Sequence, residues 1–165
     1  MKRVVLILLA TIGFGISLYG YPKAYDSKKE MLQDAQTFLK NMPNTTLEQF
    51  LDFFRPPERS RVLIFFNENK SFSENYDEYI AMLTNDYERR KDEIISLKKA
   101  GKNITFGMPL NEPDTEAKDG VVYYKEAFVV YSDTDTTCYI NLIYTFHSGK
   151  FFLVRFDKIK CKDNW

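Results

Sequence analysis

Three charged residues interrupt otherwise apolar, strand-like runs: Glu126 within VVYYKEAFVVY, and Arg155 and Asp157 within FFLVRFDKI. A carboxylate enclosed by apolar groups titrates away from its solution value and becomes a usable general base. A guanidinium in the same setting is likewise a pocket charge with an altered pKa, the usual mark of a site. The chemistry depends on direction. Facing into a pocket, Glu126 and Arg155 are site charges; facing the other way, they are ordinary cross-strand surface charges. Both faces of these runs are substantially apolar, so alternation alone leaves both readings open. Tyr123, Tyr124, Phe128, Tyr131, Tyr139 and Tyr144 crowd the same strands, and tyrosine joins a large apolar area to a hydrogen-bonding tip. Tyr144, Arg155, Glu126 and Tyr124 are the expected ligand-binding residues. Should the chain be an enzyme, Glu126 or Asp157 is the expected base.

Other chemistry finds little support. His147, the only histidine, sits at a turn with no local carboxylate or nucleophile motif beside it. One histidine and two cysteines are too few for a zinc site, and no metal or cofactor is expected. GxSxG, HExxH, P-loop and GxGxxG patterns are missing, so no catalytic residue is assigned. Asp114, Glu116 and Asp119-Gly120 form an acidic loop whose spacing does not match a calcium-binding EF-hand. The 23 basic and 23 acidic residues balance, which removes the basic excess that nucleic-acid binding requires. With 16% aromatic residues and only 7 glycines and 6 prolines, the chain is not a disordered or collagen-like sequence.

Cys138 and Cys161 flank a hairpin, CYINLIYTF-HSGK-FFLVRFDKIKC. With Gly149-Lys150 as the two-residue loop in a type II′ turn, the two cysteines directly oppose each other at disulfide distance. That register sets Tyr144 against Arg155 and Leu142 against Asp157, all on the cysteine face. A loop at Ser148-Gly149 offsets the cysteines by two residues and leaves them on one face. One structural disulfide is expected.

These residues need elements to position them. Ser27 with Glu30 opens a helix carrying Met31, Leu32, Ala35, Phe38 and Leu39 on one stripe, stopped by Asn41 and Pro43. Thr45 with Glu48 opens a short helix burying Leu47, Phe50, Leu51 and Phe54, ended by Pro56-Pro57. RVLIFF at 61–66 reads as a strand or a buried helical turn. Ser71 with Glu74, or Ser73, caps a long helix to Ala100, with Gly101 as its stop. Its apolar stripe is Tyr76, Ile80, Leu83, Tyr87, Ile94 and Leu97, with Arg90 in the interrupted place. Strands follow over 103–110, 121–131, 136–147 and 150–161, separated by polar loops that include 111–120. Helices first and antiparallel strands after them predict an α+β fold, with N-terminal helices packed on a curved antiparallel sheet of four or more strands.

Residues 1–20 have the form of a signal peptide: Lys2 and Arg3, an apolar run from Val4 to Ile12, then Gly13, Gly15, Ser17 and Gly20. Cleavage after Ser17 or Gly20 satisfies the small-residue preference. The uncharged stretch from Val4 to Tyr21 is also just long enough to be an uncleaved membrane anchor. Residues 21–165 then form a single domain, periplasmic or secreted, in which a disulfide would persist. Asn44, Asn69 and Asn103 begin N-x-S/T triplets, which carry meaning only in a eukaryotic secretory pathway.

The helix order, and the terminal hairpin YINLIYTFHSGKFFLVRFDKI with Phe151 after the turn and Ile159 near the strand end, resemble the nuclear transport factor 2-like (cystatin-like α+β cone) superfamily over residues 26–161. The resemblance implies a curved sheet that wraps helices around a pocket open at one end. It spans isomerases, dehydratases and non-catalytic binding domains, so it does not choose a function. The expected function is an exported, non-catalytic binding domain for a small apolar ligand or an envelope protein. A cone-fold enzyme and an inhibitor of an exported hydrolase are the alternatives. A homodimer through a strand edge or the long helix is a further possibility.

Overall fold

The computed structural model describes residues 23–55, 67, 69–109, 112–118 and 120–163. The signal-like segment, Pro56-Pro57 and the RVLIFF run fall outside the described residues. Three helices, α1 (Lys28–Asn41), α2 (Leu47–Phe53) and α3 (Phe72–Lys99), precede four of the five strands. The strands are β1 (Ala24–Tyr25), β2 (Asp114–Lys118), β3 (Val121–Ser132), β4 (Thr136–His147) and β5 (Lys150–Asp163). They form one open antiparallel sheet in the order β1-β5-β4-β3-β2, and the fold is α+β as expected.

Each helix begins where its hydroxyl cap meets the orphan amides of the first turn. Ser27 Oγ accepts from Glu30 N at 3.2 Å, and Ser71 forms a full capping box with Glu74. The cap of α2 is Thr46 with Gln49, one residue later than Thr45 with Glu48. Thr45 and Thr46 are each followed three residues on by an acidic or amide side chain, so the pattern alone is degenerate. Between the helices and β5 lies a phenylalanine cluster. Phe38 stacks on Phe53 at 3.9 Å, and Phe54 meets Phe156 edge-on at 4.9 Å.

The buried stripe of α3 differs from the apolar reading. It runs through Asn75, Tyr79, Leu83, Asp86, Tyr87, Arg90 and Ile94, while Tyr76 and Ile80 lie on its shoulder. An apolar count misses this stripe because several of its members are polar. Asn75 bonds the backbone of Asn67, Lys70 and Ser71, whereas Tyr79, Asp86 and Arg90 lie toward β5. Beyond Phe152, where pairing with β1 ends, β5 has no strand on its outer side among the described residues.

Strand β5 also carries two bulges. Near the turn His147 pairs with Lys150, and Ser148 and Gly149 both have positive φ (51° and 79°), the type I′ signature. Val154 is then an extra residue between the pairs Ile143–Arg155 and Tyr144–Leu153, and Asp157-Lys158 together oppose Asn141. The cysteines therefore do oppose each other directly, but two bulges bring them there instead of a Gly149-Lys150 loop. The same bulges overturn two expected pairings: Tyr144 opposes Leu153 and Leu142 opposes Phe156.

Two further expectations change. Among its described residues the 103–110 segment makes a single bridge, Gly107 to Val129, and Phe106 turns to φ +46° and breaks the extended run. The polar 111–120 loop contains β2, which pairs in register with β3 from Lys118–Val121 to Asp114–Lys125. Gly120 at φ +75° supplies the turn, and Asp119-Gly120 was the available hairpin signal.

A disulfide joins Cys138 to Cys161, with Cα atoms 4.0 Å apart. Closing a loop of this size limits the unfolded chain by roughly 3 kcal/mol. Replacing both cysteines by serine should lower the unfolding free energy by about that amount in a urea titration. An unchanged midpoint would mean that the bond adds nothing the bulged ladder does not already enforce.

Candidate functional site

Side chains alternate between the two faces of the sheet along β3 and β4, although Tyr123 and Ile143 also pack against the core. Tyr124, Glu126, Phe128, Val130, Cys138, Ile140, Leu142 and Tyr144 face the helices, the side on which Glu126 and Tyr144 are buried. Tyr123, Lys125, Ala127, Val129, Thr137, Tyr139, Asn141 and Ile143 line grooves on the opposite side.

On the helix side, three of the four expected site residues come together. Glu126 is 3% exposed and forms an ion pair with Lys28 at the start of α1. Tyr124 and Tyr144 stack with ring centres 5.2 Å apart, and the Lys28 ammonium lies 5.9 Å from the Tyr144 ring centre. Burial pushes the Tyr144 hydroxyl up to about 12, assisted by the negative charge of Glu126. Partial burial lowers Lys28, but hydrogen bonds to Glu126 and Tyr144 outweigh it and hold the ammonium above its ordinary value. The cluster joins an ion pair, a hydroxyl and two rings, and Glu126 Oε2 within it is buried without a hydrogen bond among the described residues.

Arg155 is not part of that cluster. It reaches α3, where one Nη lies 2.9 and 2.8 Å from the two Asp86 oxygens and the other lies 3.0 Å from Met82 Sδ. Burial lifts the Asp86 carboxyl above its usual range, more than Arg155 and Arg90 pull it down. One turn along α3, Arg90 is 3% exposed and touches Glu93 at 3.1 Å. Burial lowers its guanidinium from the ordinary value. The second oxygen of Glu93 accepts the Ile159 amide at 3.1 Å. Earlier on the same stripe, the Tyr79 hydroxyl lies 2.7 Å from Val154 O and 3.0 Å from Phe54 O. Tyr79, Asp86, Arg90 and Glu93 thus serve the unpaired side of β5 at and between its bulges.

Asp157 lies in the second bulge, 3.6 Å from Lys125. Burial raises its carboxyl, but the Lys158 amide and the charges of Lys125 and Lys160 prevail and hold it below the ordinary value. A base working near neutrality needs the opposite shift.

The open face carries the space. A groove of about 560 Å³ lies over β3, β4 and β5, within the size range of small-ligand sites. Ala127, Val129, Tyr139 and Asn141 floor it; Pro109, Glu112 and Asp114 stand on one side, and Lys160 and Lys162 on the other. A smaller cavity of about 250 Å³ continues it past Asp114 and Lys125 to Tyr123 and Ile143. A third, of about 440 Å³, lies between α3 and β5 beside Glu93 and Cys161. None of these three is lined by Tyr124, Glu126, Tyr144 or Arg155. Among the described residues, no group of histidine, cysteine and acidic side chains is arranged to hold a metal ion. The groove residues were missed because lysines and an asparagine on strands read as ordinary solvent-facing positions.

Arg155→Ala leaves a largely buried Asp86 without its partner and should cost roughly 3 kcal/mol of stability. The double change Asp86→Leu with Arg155→Met should recover much of that loss in a double-mutant cycle. An Arg155→Ala protein with the parent's unfolding midpoint would remove this arginine from the scaffold and leave it free for a ligand.

No family model, no curated protein and no solved structure matches this chain.

Proposed function

We propose that the chain is an exported, non-catalytic binding domain that works in the periplasm or outside the cell, using the sheet face its helices leave open. The observation that carries this reading is the groove of about 560 Å³ on that face, set against a helix side whose Glu126 and Arg155 have protein partners. Glu126 and Arg155 already have ionic partners, though Glu126 Oε2 and Arg155 Nε make no hydrogen bond among the described residues, whereas the groove is an open space of ligand size. Export is supported by the signal-like residues 1–20 and by the disulfide, a bond that persists in oxidising compartments. Among the described residues, no helix is long and apolar enough to cross a membrane.

The groove lining turns the expected occupant from apolar to charged, because lysines and acids stand at its sides. The enzyme reading loses ground on the same page. Glu126 is held by Lys28, and Asp157 is held ionised by its neighbours.

Native mass spectrometry on protein purified from its own envelope fraction tests the proposal. A retained mass of a few hundred daltons, lost on denaturation and lost in a Lys160→Glu, Lys162→Glu variant, is the expected result. A bare chain, or an added mass indifferent to those lysines, would contradict it.

A further inference from the structure

The two large apolar side chains that stay exposed among the described residues, Val122 and Phe146, stand side by side at one end of the sheet. The register of Tyr123 with Thr145 and Tyr124 with Tyr144, continued by one residue, sets them opposite each other, and Thr145 Oγ1 donates to Val122 O at 2.9 Å. Their other neighbours extend the row: Ala117 pairs with Val122, Phe151 with Phe146, and Tyr25 with Phe151. One apolar residue from each of the five strands thus lies on a single line across the sheet, and the Phe146 and Phe151 ring centres are 4.7 Å apart. Two residues further in along β4, Lys28 at the start of α1 covers Tyr144 and Glu126. The outer row is left uncovered at Val122 and Phe146, which are 43% and 49% exposed.

The chain enters the domain at this same row. The uncharged stretch from Val4 to Tyr21 ends four residues before Tyr25, a span of at most about 14 Å. A bilayer that holds the stretch therefore lies within reach of the row. The cations around the row are already matched: Lys23 with Asp34, Lys28 with Glu126 and Lys150 with Asp26. What the surface offers is apolar contact, and rings of this kind settle at the boundary between lipid headgroups and acyl chains. We propose that the row of Val122, Phe146 and Phe151 docks on a lipid bilayer, beside the point where residues 4–21 meet the membrane. The row lies on the helix side of the sheet, away from the open-face groove, and the proposal stands whatever that groove holds.

Tryptophan emission from the full chain, reconstituted in phosphatidylcholine vesicles with and without bromine on the acyl chains, provides the test. Trp165→Phe first removes the only native tryptophan. In that background the Phe146→Trp protein should shift its emission to the blue and lose most of it to the brominated lipid. The Tyr139→Trp protein, altered seven residues back along β4 and about 23 Å away, should keep its emission. Adding Val122→Asp to Phe146→Trp should restore most of the emission, because a carboxylate in the row opposes insertion while residues 1–21 are unchanged. Unchanged circular dichroism and unfolding midpoints would show that these variants still fold. An unquenched Phe146→Trp protein overturns the proposal, and so does equal quenching at positions 146 and 139. Quenching that survives Val122→Asp also overturns it, since tethering by the N-terminal stretch would then account for the contact.

Discussion

The structure depends on how α3 holds the outer side of β5. A strand with two extra residues bends and twists at each bulge and leaves backbone groups without a ladder partner. Here a polar stripe on one helix meets that side. Tyr79 reaches the carbonyl of the bulge residue Val154, Asp86 takes Arg155, and Glu93, oriented by Arg90, accepts the Ile159 amide. Each contact costs desolvation of a polar group, and the set is only partly satisfied, since Arg90 Nε and Nη1 and Arg155 Nε are buried without a hydrogen bond among the described residues. The bulges in turn carry Cys138 and Cys161 into opposition and fix which side chains of β4 face the helices.

Much of this was legible, though not always for the reason first apparent. The caps of α1 and α3, the order of helices then strands, and the cysteine pairing follow from hydroxyl caps, from period-two strands and from hairpin symmetry. The hairpin turn itself lies one residue earlier, at Ser148-Gly149, and the bulges restore the pairing. Nothing in VRFDKI announces a bulge, since an extra residue is a property of the partner strand as much as of its own. The α3 stripe was obscured because Asn75, Asp86 and Arg90 are buried polar residues, while β2 was obscured because all five of its residues are exposed. Burial and polarity part company at both places, and periodicity arguments assume that they travel together.

Of the expected site residues, Tyr124, Glu126 and Tyr144 form one cluster and Arg155 belongs to another. An enclosed strand charge can complete a ligand site or tie a sheet to a helix, and the sequence pattern is the same for both. What distinguishes them is the partner, and here Lys28 and Asp86 are near in space and far in sequence. The open face presents the reverse case. Its lysines and Asn141 look like routine surface positions until the strand order places them across one groove from Glu112 and Asp114.

The most direct test of this account is the register of the terminal hairpin, measured by cross-strand nuclear Overhauser contacts on the labelled, oxidised protein. The account predicts contacts of Tyr144 with Leu153, of Leu142 with Phe156 and of Ile140 with Ile159, a register that shifts twice between the turn and the disulfide. A single unbroken register from His147 to Cys138 would contradict it. The α3 stripe would then have no bulges to hold, and the assignment of the two sheet faces would fall with it.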